Sequence, residues 1–476
     1  MNKVIEFIKT SGVYFIGSVL NKLSIVILVP LYTNKISPND YGTYDLTMTY
    51  VTLLTSIIFI DIWTVIMREM LGVNKERDKE KFLTNGFIVF LGCSVLYTVL
   101  VFAFQQVFPI KYIILVYIYG ILVCLQNVYS ASIRGFDLNK VYIISGISNT
   151  LITLSLNLIF LNIFSLGYES LYIAAIIGEF SQIIIIELKG KLLKKISLKH
   201  FDYAVVKKMF LIALPLGLNS GFYWILFNYN RILISVTLGT YENGLYAIGT
   251  KFSSILSLVT TCFSLAWQEM AFKNDEGNNE LYTKASNLYI NMLLTGVILS
   301  LPLISIVFPI MVGNEYSMAK DIVPWSILAS VMSIFSSFLS TIFGAIRDYK
   351  SIMIATSIGS VVNIIVVHSL IGKVGVNAAS IAIFIGFLVN VIVRVYILRR
   401  RINMRIDFKK ILKYIPIILG VSYVYLNRGM VANGILLILS LGFILYIMRK
   451  EIIFIGKKIM KKVGRSKEEE YFEEGC

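Results

Sequence analysis

The chain has 476 residues, of which 57% are hydrophobic and only 15% charged, and a formal net charge of +16. Its mean hydropathy is +0.77. Soluble domains run nearer about 45–50% apolar and about 25% charged, which excludes that class and leaves an integral protein that crosses the bilayer many times.

Windows of about 19 residues predict spans near 10–33, 42–66, 83–105, 112–133, 141–163, 169–188, 209–235, 241–267, 286–312, 322–345, 351–371, 375–397, 411–427 and 432–448. The stretch MNKVIEFIKTSG leads into a first span too long for a cleavable signal core. Cys476 lies in no CaaX prenylation box. The twelfth and thirteenth spans flank the basic segment RVYILRRRINMRIDFKK, and the acidic end KEEEYFEE is read as solvated charge. With the N-terminus inside, 36 Lys and Arg fall in inner segments and 5 in outer loops, while Lys22, Arg231 and Lys251 lie within spans. That bias predicts cytoplasmic termini and makes the net charge a matter of topology, not a nucleic-acid footprint. Cys93, Cys124 and Cys262 sit in apolar runs without metal-like spacing and are read as small reduced core residues.

The sequence repeats internally. ISPNDYGTYDLTMTYVTLLTSI (36–57) aligns without gaps on LGTYENGLYAIGTKFSSILSLV (238–259), an offset of 202 that pairs Gly42 and Tyr44 with Gly244 and Tyr246. IRGFDLNK (133–140) and IRDYK (346–350) both follow an even-numbered span, and GYESLYIAAIIG (167–178) matches GVNAASIAIFIG (375–386) at an offset of 208. A repeat of six spans enters the membrane in the same direction twice, as in transporters built from parallel repeats. The predicted fold is therefore an all-α polytopic membrane protein of about 14 transmembrane helices. It comprises an N-lobe (1–200), a C-lobe (201–402), two further spans (403–450) and a charged cytoplasmic tail (451–476). Two like lobes around a cleft suit alternating access.

The N-terminal SGVYFIGSVLNKLSIVILVPLYTNKISPNDYGTYDL resembles the opening of the polysaccharide-transport family, the O-antigen and capsule repeat-unit flippases. So does the mid-chain ALPLGLNSGFYWILFNYNRILISVTLGTYENGLYAIGTKFSSIL. That family belongs to the multidrug/oligosaccharidyl-lipid/polysaccharide exporter superfamily, with the lipid II flippases and the MATE drug antiporters. The resemblance covers about residues 9–400. It implies a MATE-like fold and a flippase carrying an undecaprenyl-pyrophosphate-linked oligosaccharide to the outer leaflet of the bacterial cytoplasmic membrane. The product would be a surface polysaccharide, with a polymerase and other assembly proteins as partners.

Span eight carries one polar stripe at helical steps: Lys251, Ser254, Ser257, Thr261, Ser264 and Gln268. Span two repeats the pattern with Asp45, Thr49, Thr52 and Ser56; span one offers Ser11, Ser18 and Lys22, and span seven Asn219, Tyr223, Asn230 and Arg231. Four such stripes point to a wet cavity between the lobes, and the resemblance assigns the same four spans to the transport path. The alternative is that the hydroxyls bond within or between helices. Lys22 and Lys251 are expected to face each other and hold the carrier's phosphates as point charges. The alternatives for Lys251 are an ion pair, for example with Glu179, and snorkelling, which also competes for Arg231 near its span end. Glu179, mid-way through span six, and Asp61, in the inner third of span two, are candidates for proton or sodium coupling. Asp61 could instead cap or pair near Arg68–Met70, and His368 reads as packed or interfacial.

Two other readings compete. A MATE-type cation exporter would place carboxylates in mid-cavity, whereas here lysines predominate. A membrane polymerase or glycosyltransferase needs an acceptor site and acid–base or metal chemistry. The outer loops hold about ten residues or fewer, and no Asp-x-Asp pair, Walker motif or Cys/His cluster occurs, so no catalytic residue, metal or bound cofactor is expected.

Overall fold

The computed structural model describes Ser24 and residues 26–107, 109–273 and 279–447. Among the described residues the regular elements are helices: α1 (26–35), α2 (Pro38–Phe59), α3 (Ile62–Leu71), α4 (Glu76–Val107), α5 (Ile113–Gly135), α6 (Asn139–Asn162), α7 (Glu169–Gly190) and the short α8 (Leu192–Lys195). They continue with α9 (Tyr203–Thr237), α10 (Thr240–Lys273), α11 (Asn279–Met311), α12 (Val323–Ala345), α13 (Tyr349–Val374), α14 (Asn377–Ile402), α15 (Phe408–Asn427) and α16 (Met430–Ile447). Nine helical segments among the described residues are long and apolar enough to cross a membrane, or ten if α2 and α3 form one bent span.

Side-chain caps fix several helix starts. Ser37 accepts from the Asp40 amide at 3.2 Å and donates to the Asp40 carboxylate at 3.0 Å, ahead of Pro38 in the first turn of α2. Asp202, Asp348 and Asp407 cap α9, α13 and α15 in the same way. Lys81 pairs with Asp202 at 2.7 Å, and Asn85 donates to the His200 carbonyl and accepts from the Asp202 amide, both at 2.9 Å. The segment between the two halves is thus tied to α4. Lys81 and the Ala204 amide hold the Asp202 carboxyl below its usual range, so the tie is present at neutral pH and weakens only as pH falls.

The second predicted span is not a continuous helix. Ile60 and Asp61 take left-handed φ values of 42° and 57°, and α3 departs at 49° to α2. The run IIFIDIW has neither Gly nor Pro, so hydropathy alone reads through the break. Tertiary packing supports it: Gly217 of α9 lies so close that a β-carbon there would sit 3.0 Å from Ile60 Cα.

The two halves of the sequence repeat meet in space. A β-carbon on Gly42 would lie 1.8 Å from the Thr240 carbonyl oxygen, and one on Gly244 would lie 1.9 Å from that of Pro38. Residues 240 and 244 are 38 and 42 advanced by the repeat offset of 202, so the two contacts are one contact seen from either half, as two-fold symmetry requires. The cytoplasmic-link match also acquires a register. Asp137 and Arg347 have φ values of 62° and 58°, and the turn bonds from Leu138 N to Ile133 O and from Asp348 N to Phe343 O correspond. These positions are 210 apart, whereas aligning the shared Ile-Arg letters needs 213, so the backbone turn is what repeats.

Small residues set the helix contacts, as expected where lipid offers no hydrophobic exclusion. Gly178 of α7 packs on Asn149 and Thr153 of α6, and Gly386 of α14 packs on Gly359 and Asn363 of α13. An apolar cluster including Phe59, Ile66, Phe90, Tyr97, Cys124 and Ile183 fills the N-terminal half. Leu91, Val95 and Val99 on α4 and Val361 and Ile365 on α13 are exposed, which suits a lipid-facing surface. Cys93 is half-buried and Cys124 buried, both as free thiols; the side chains of Cys262 and Cys476 lie outside the described residues.

The chain forms two compact units. The larger, Met1–Ser286 with Pro309–Ile406, takes in helices from both six-span halves. The smaller joins Asn287–Phe308 to Asp407–Cys476, where the Asn287 side chain accepts from the Asp407 amide at 2.7 Å and Ile418, Val421 and Tyr425 are buried.

Candidate functional site

Within the larger unit, a cavity of about 290 Å³ lies among α9, α10, α12 and α14. Seven of its thirteen lining residues are serine or threonine: Thr250, Ser253 and Ser254 from α10, Ser326, Ser330 and Ser333 from α12, and Ser380 from α14. The three α12 serines follow one another at steps of four and three and so share a face. Two cations, Arg231 and Lys251, also line the cavity, and no lining residue is a carboxylate. Such a wall offers many neutral hydrogen-bond partners and a positive charge.

The two cations are not equivalent. Arg231 forms an ion pair with Asp45 of α2, and the Asn243 side chain donates to the same carboxylate at 3.2 Å while also reaching the Gly42 carbonyl at 2.9 Å. Asp45 therefore compensates the Arg231 charge locally. Lys251 has no carboxylate partner among the described residues. Its ammonium lies 4.9 Å from the ring centroids of both Tyr32 and Tyr41. Those ring faces attract a cation without neutralising it. Lys251 thus supplies the net positive charge at the cavity.

These cross-half contacts cluster at the end of the bundle that the charge bias assigns to the outside. Alongside Arg231–Asp45 and the Gly42–Gly244 approach, Thr240 hydrogen-bonds Asn39, the Gly313 amide donates to Thr33 at 3.0 Å, and Tyr316 donates to the Ile36 carbonyl at 3.0 Å. Further along α10, Ser264 and Gln268 of the polar stripe are exposed. The halves are closed together at one end, and the stripe is open toward the other.

Of the residues singled out in sequence, Lys251, Arg231 and Ser254 line the cavity. Ser257 lies one turn beyond Ser254, and both hydroxyls donate to their own helix, to Ser254 O and Lys251 O at 2.6 Å. A back-bonded hydroxyl keeps its acceptor lone pairs for a ligand. Thr52 accepts from the Trp224 indole at 3.1 Å and donates to Thr49 O at 2.9 Å, so it belongs to the α2–α9 contact and not to the cavity wall. Asn219 on α9 keeps one enclosed side-chain oxygen without a partner among the described residues. Lys22, with Ser11 and Ser18, lies outside the described residues, as does the Thr261 side chain.

Glu179 lies beside Gly178 on α7, which does not line the cavity, and its enclosed Oε2 has no partner among the described residues. It is not the partner of Lys251. Asp61 sits in the break between α2 and α3 and accepts from the Thr64 hydroxyl at 2.9 Å. His368 Nε2 is 2.7 Å from the Tyr229 hydroxyl. The cavity is lined by α9, α10, α12 and α14, all from the C-lobe (201–402), with Tyr32 and Tyr41 of the N-terminal half beside Lys251; α2 packs directly against α10, and most of the predicted first span lies outside the described residues. The α12 serines follow the same step rule that exposed the α10 stripe and were legible in SILASVMSIFSSFLS.

Arg394, which the sequence assigns to the head of a cytoplasmic basic segment, is instead fully buried inside α14.

Residues 7–268 match the family described as "Polysaccharide biosynthesis protein". No curated protein matches the sequence. Among solved structures, an inward-facing "multidrug resistance MATE family transporter of the MOP superfamily" has a TM-score of 0.66 at 16% identity, covering 81% of this chain and 98% of its own. "Lipid II flippase MurJ, inward closed conformation" gives 0.68 at 15% identity over 94% and 100% of the two chains. The outward-facing form of the MATE family transporter gives 0.58 at 16% identity over 83% and 96%. At such identities the shared property is the fold, that of a multi-pass, all-helical membrane protein.

Proposed function

The chain belongs to the polysaccharide biosynthesis protein family, and from that premise we propose that it is a flippase for an undecaprenyl-pyrophosphate-linked oligosaccharide. It carries the repeat unit from the inner to the outer leaflet of the bacterial cytoplasmic membrane by alternating access, for O-antigen, capsule or exopolysaccharide assembly. Both termini are cytoplasmic on the charge bias, and a polymerase takes up the product. No bond is made or broken, and the neighbours in fold are likewise transporters and a flippase.

The observation that carries this reading is Lys251: a cation with no ion-pair partner among the described residues, in a cavity rich in serine and threonine. Its ammonium holds the pyrophosphate, the serines bind sugar hydroxyls, and the polyprenyl chain stays in lipid. Lys22 is a second candidate for the phosphate. The MATE-type cation exporter is the second reading, and the cavity disfavours it because Asp45, the nearby carboxylate, is already paired with Arg231. The test is reconstitution with the lipid-linked oligosaccharide in vesicles. Protein-dependent appearance of the sugar on the opposite leaflet is expected. Its absence, with transport of organic cations instead, selects the exporter.

Coupling to a proton or sodium gradient is assigned to Glu179, whose enclosed oxygen has no hydrogen-bond partner among the described residues. Asp61, at the α2–α3 break, is the alternative. Glu179→Gln is expected to leave transport insensitive to the imposed gradient in such vesicles. A wild-type gradient response in that variant removes Glu179 from the role.

A further inference from the structure

Arg394 is the largest unexplained charge in the bundle. It is 0% exposed, and all its hydrogen bonds go to neutral oxygens. Nη1 donates to the Ser336 carbonyl at 2.6 Å and to the Ser340 hydroxyl, and Nη2 donates to the Tyr223 and Thr356 hydroxyls, each at 3.1 Å. Nε has no partner. One turn earlier on the same face of α14, Asn390 is also 0% exposed; its Oδ1 accepts from Ser336 at 2.7 Å and its Nδ2 has no partner among the described residues. A guanidinium does not give up its proton in a protein. A buried one without a counter-ion is strongly disfavoured, and each enclosed donor without an acceptor adds to the cost.

We propose that Arg394 and Asn390 bind a chloride-sized inorganic anion inside the C-terminal half, with Arg394 Nε and Asn390 Nδ2 as its donors. One anion satisfies both empty donors and supplies the missing charge. Complete burial of Arg394, Asn390, Ser336 and Thr356 fits a monatomic ion better than a phosphate. The α12 serines that line the cavity continue at Ser336 and Ser340 down to Arg394, and Tyr223 lies one turn from the cavity residue Phe227. The Arg394 guanidinium, whose charge the ion balances, ties α14 to α9, α12 and α13 behind the cavity wall.

The test uses the purified full chain, with chloride exchanged for gluconate at constant ionic strength. The wild-type melting midpoint is expected to rise by about 1–2 °C for each tenfold increase in chloride above its dissociation constant, and Arg394→Gln is expected to abolish the dependence. Bromide-soaked crystals of the wild type are expected to show anomalous density beside Arg394 Nε and Asn390 Nδ2. Superimposable wild-type curves in chloride and gluconate overturn the proposal. So does a chloride response retained in Arg394→Gln, or an absence of bromide at the site. If Arg394→Gln does not fold, the two wild-type measurements decide.

Discussion

Lys251→Ala abolishes export of the lipid-linked repeat unit while leaving the protein in the membrane at the wild-type level. Removing one partner of a buried charge-assisted contact costs about 2–5 kcal/mol, at least a ~30-fold loss of affinity for the phosphate. Arg231 cannot compensate, because it is already paired with Asp45, which Asn243 in turn holds in place. Folding is not expected to suffer. The substitution deletes a charge that lies over the Tyr32 and Tyr41 rings with no ion-pair partner among the described residues, and relieves its burial. Lys251→Arg keeps the charge in a larger head group and is expected to retain part of the activity. Unchanged export in the alanine variant, measured beside protein level, removes the residue from the mechanism.

Gly42→Val and Gly244→Val each prevent closure at the outer end. The added β-carbon meets a backbone oxygen at 1.8 or 1.9 Å, and that oxygen belongs to a helix start that cannot yield as a side-chain tip can. Relief requires the halves to separate, which also pulls Asp45 from Arg231. Overpacking costs about 1–3 kcal/mol or more, enough to disfavour the closed arrangement by roughly tenfold or beyond. Export is expected to fall accordingly. A cysteine introduced at Thr240, whose hydroxyl otherwise bonds Asn39, is expected to react with an impermeant maleimide from outside in the valine variants and not in the parent. Equal labelling and normal export show that the close approach is not needed for transport.

The sequence exposed what depends on local pattern. The α10 stripe follows from hydroxyls at steps of three and four, Lys251 from a charge in an apolar run, and the Gly42/Gly244 repeat from alignment. Long-range consequences were not legible. Nothing in the sequence says that Asp45 and Arg231, 186 residues apart, neutralise each other and leave Lys251 as the net cation. The break at Ile60–Asp61 is supported by Gly217 from another helix, so no local signal marks it. Arg394 was read with the arginine run that follows it, because hydropathy windows blur a boundary by several residues. Its burial shows only once α9, α12 and α13 are packed around α14.

The central claim is that this protein moves a lipid-linked oligosaccharide across the membrane. It is tested most directly by the leaflet distribution of that lipid in cells with and without the gene. The account predicts build-up on the cytoplasmic side when the gene is absent, relieved by the wild type and not by Lys251→Ala. An unchanged lipid-linked pool, with increased sensitivity to cationic drugs, contradicts it and leaves the cation exporter in its place.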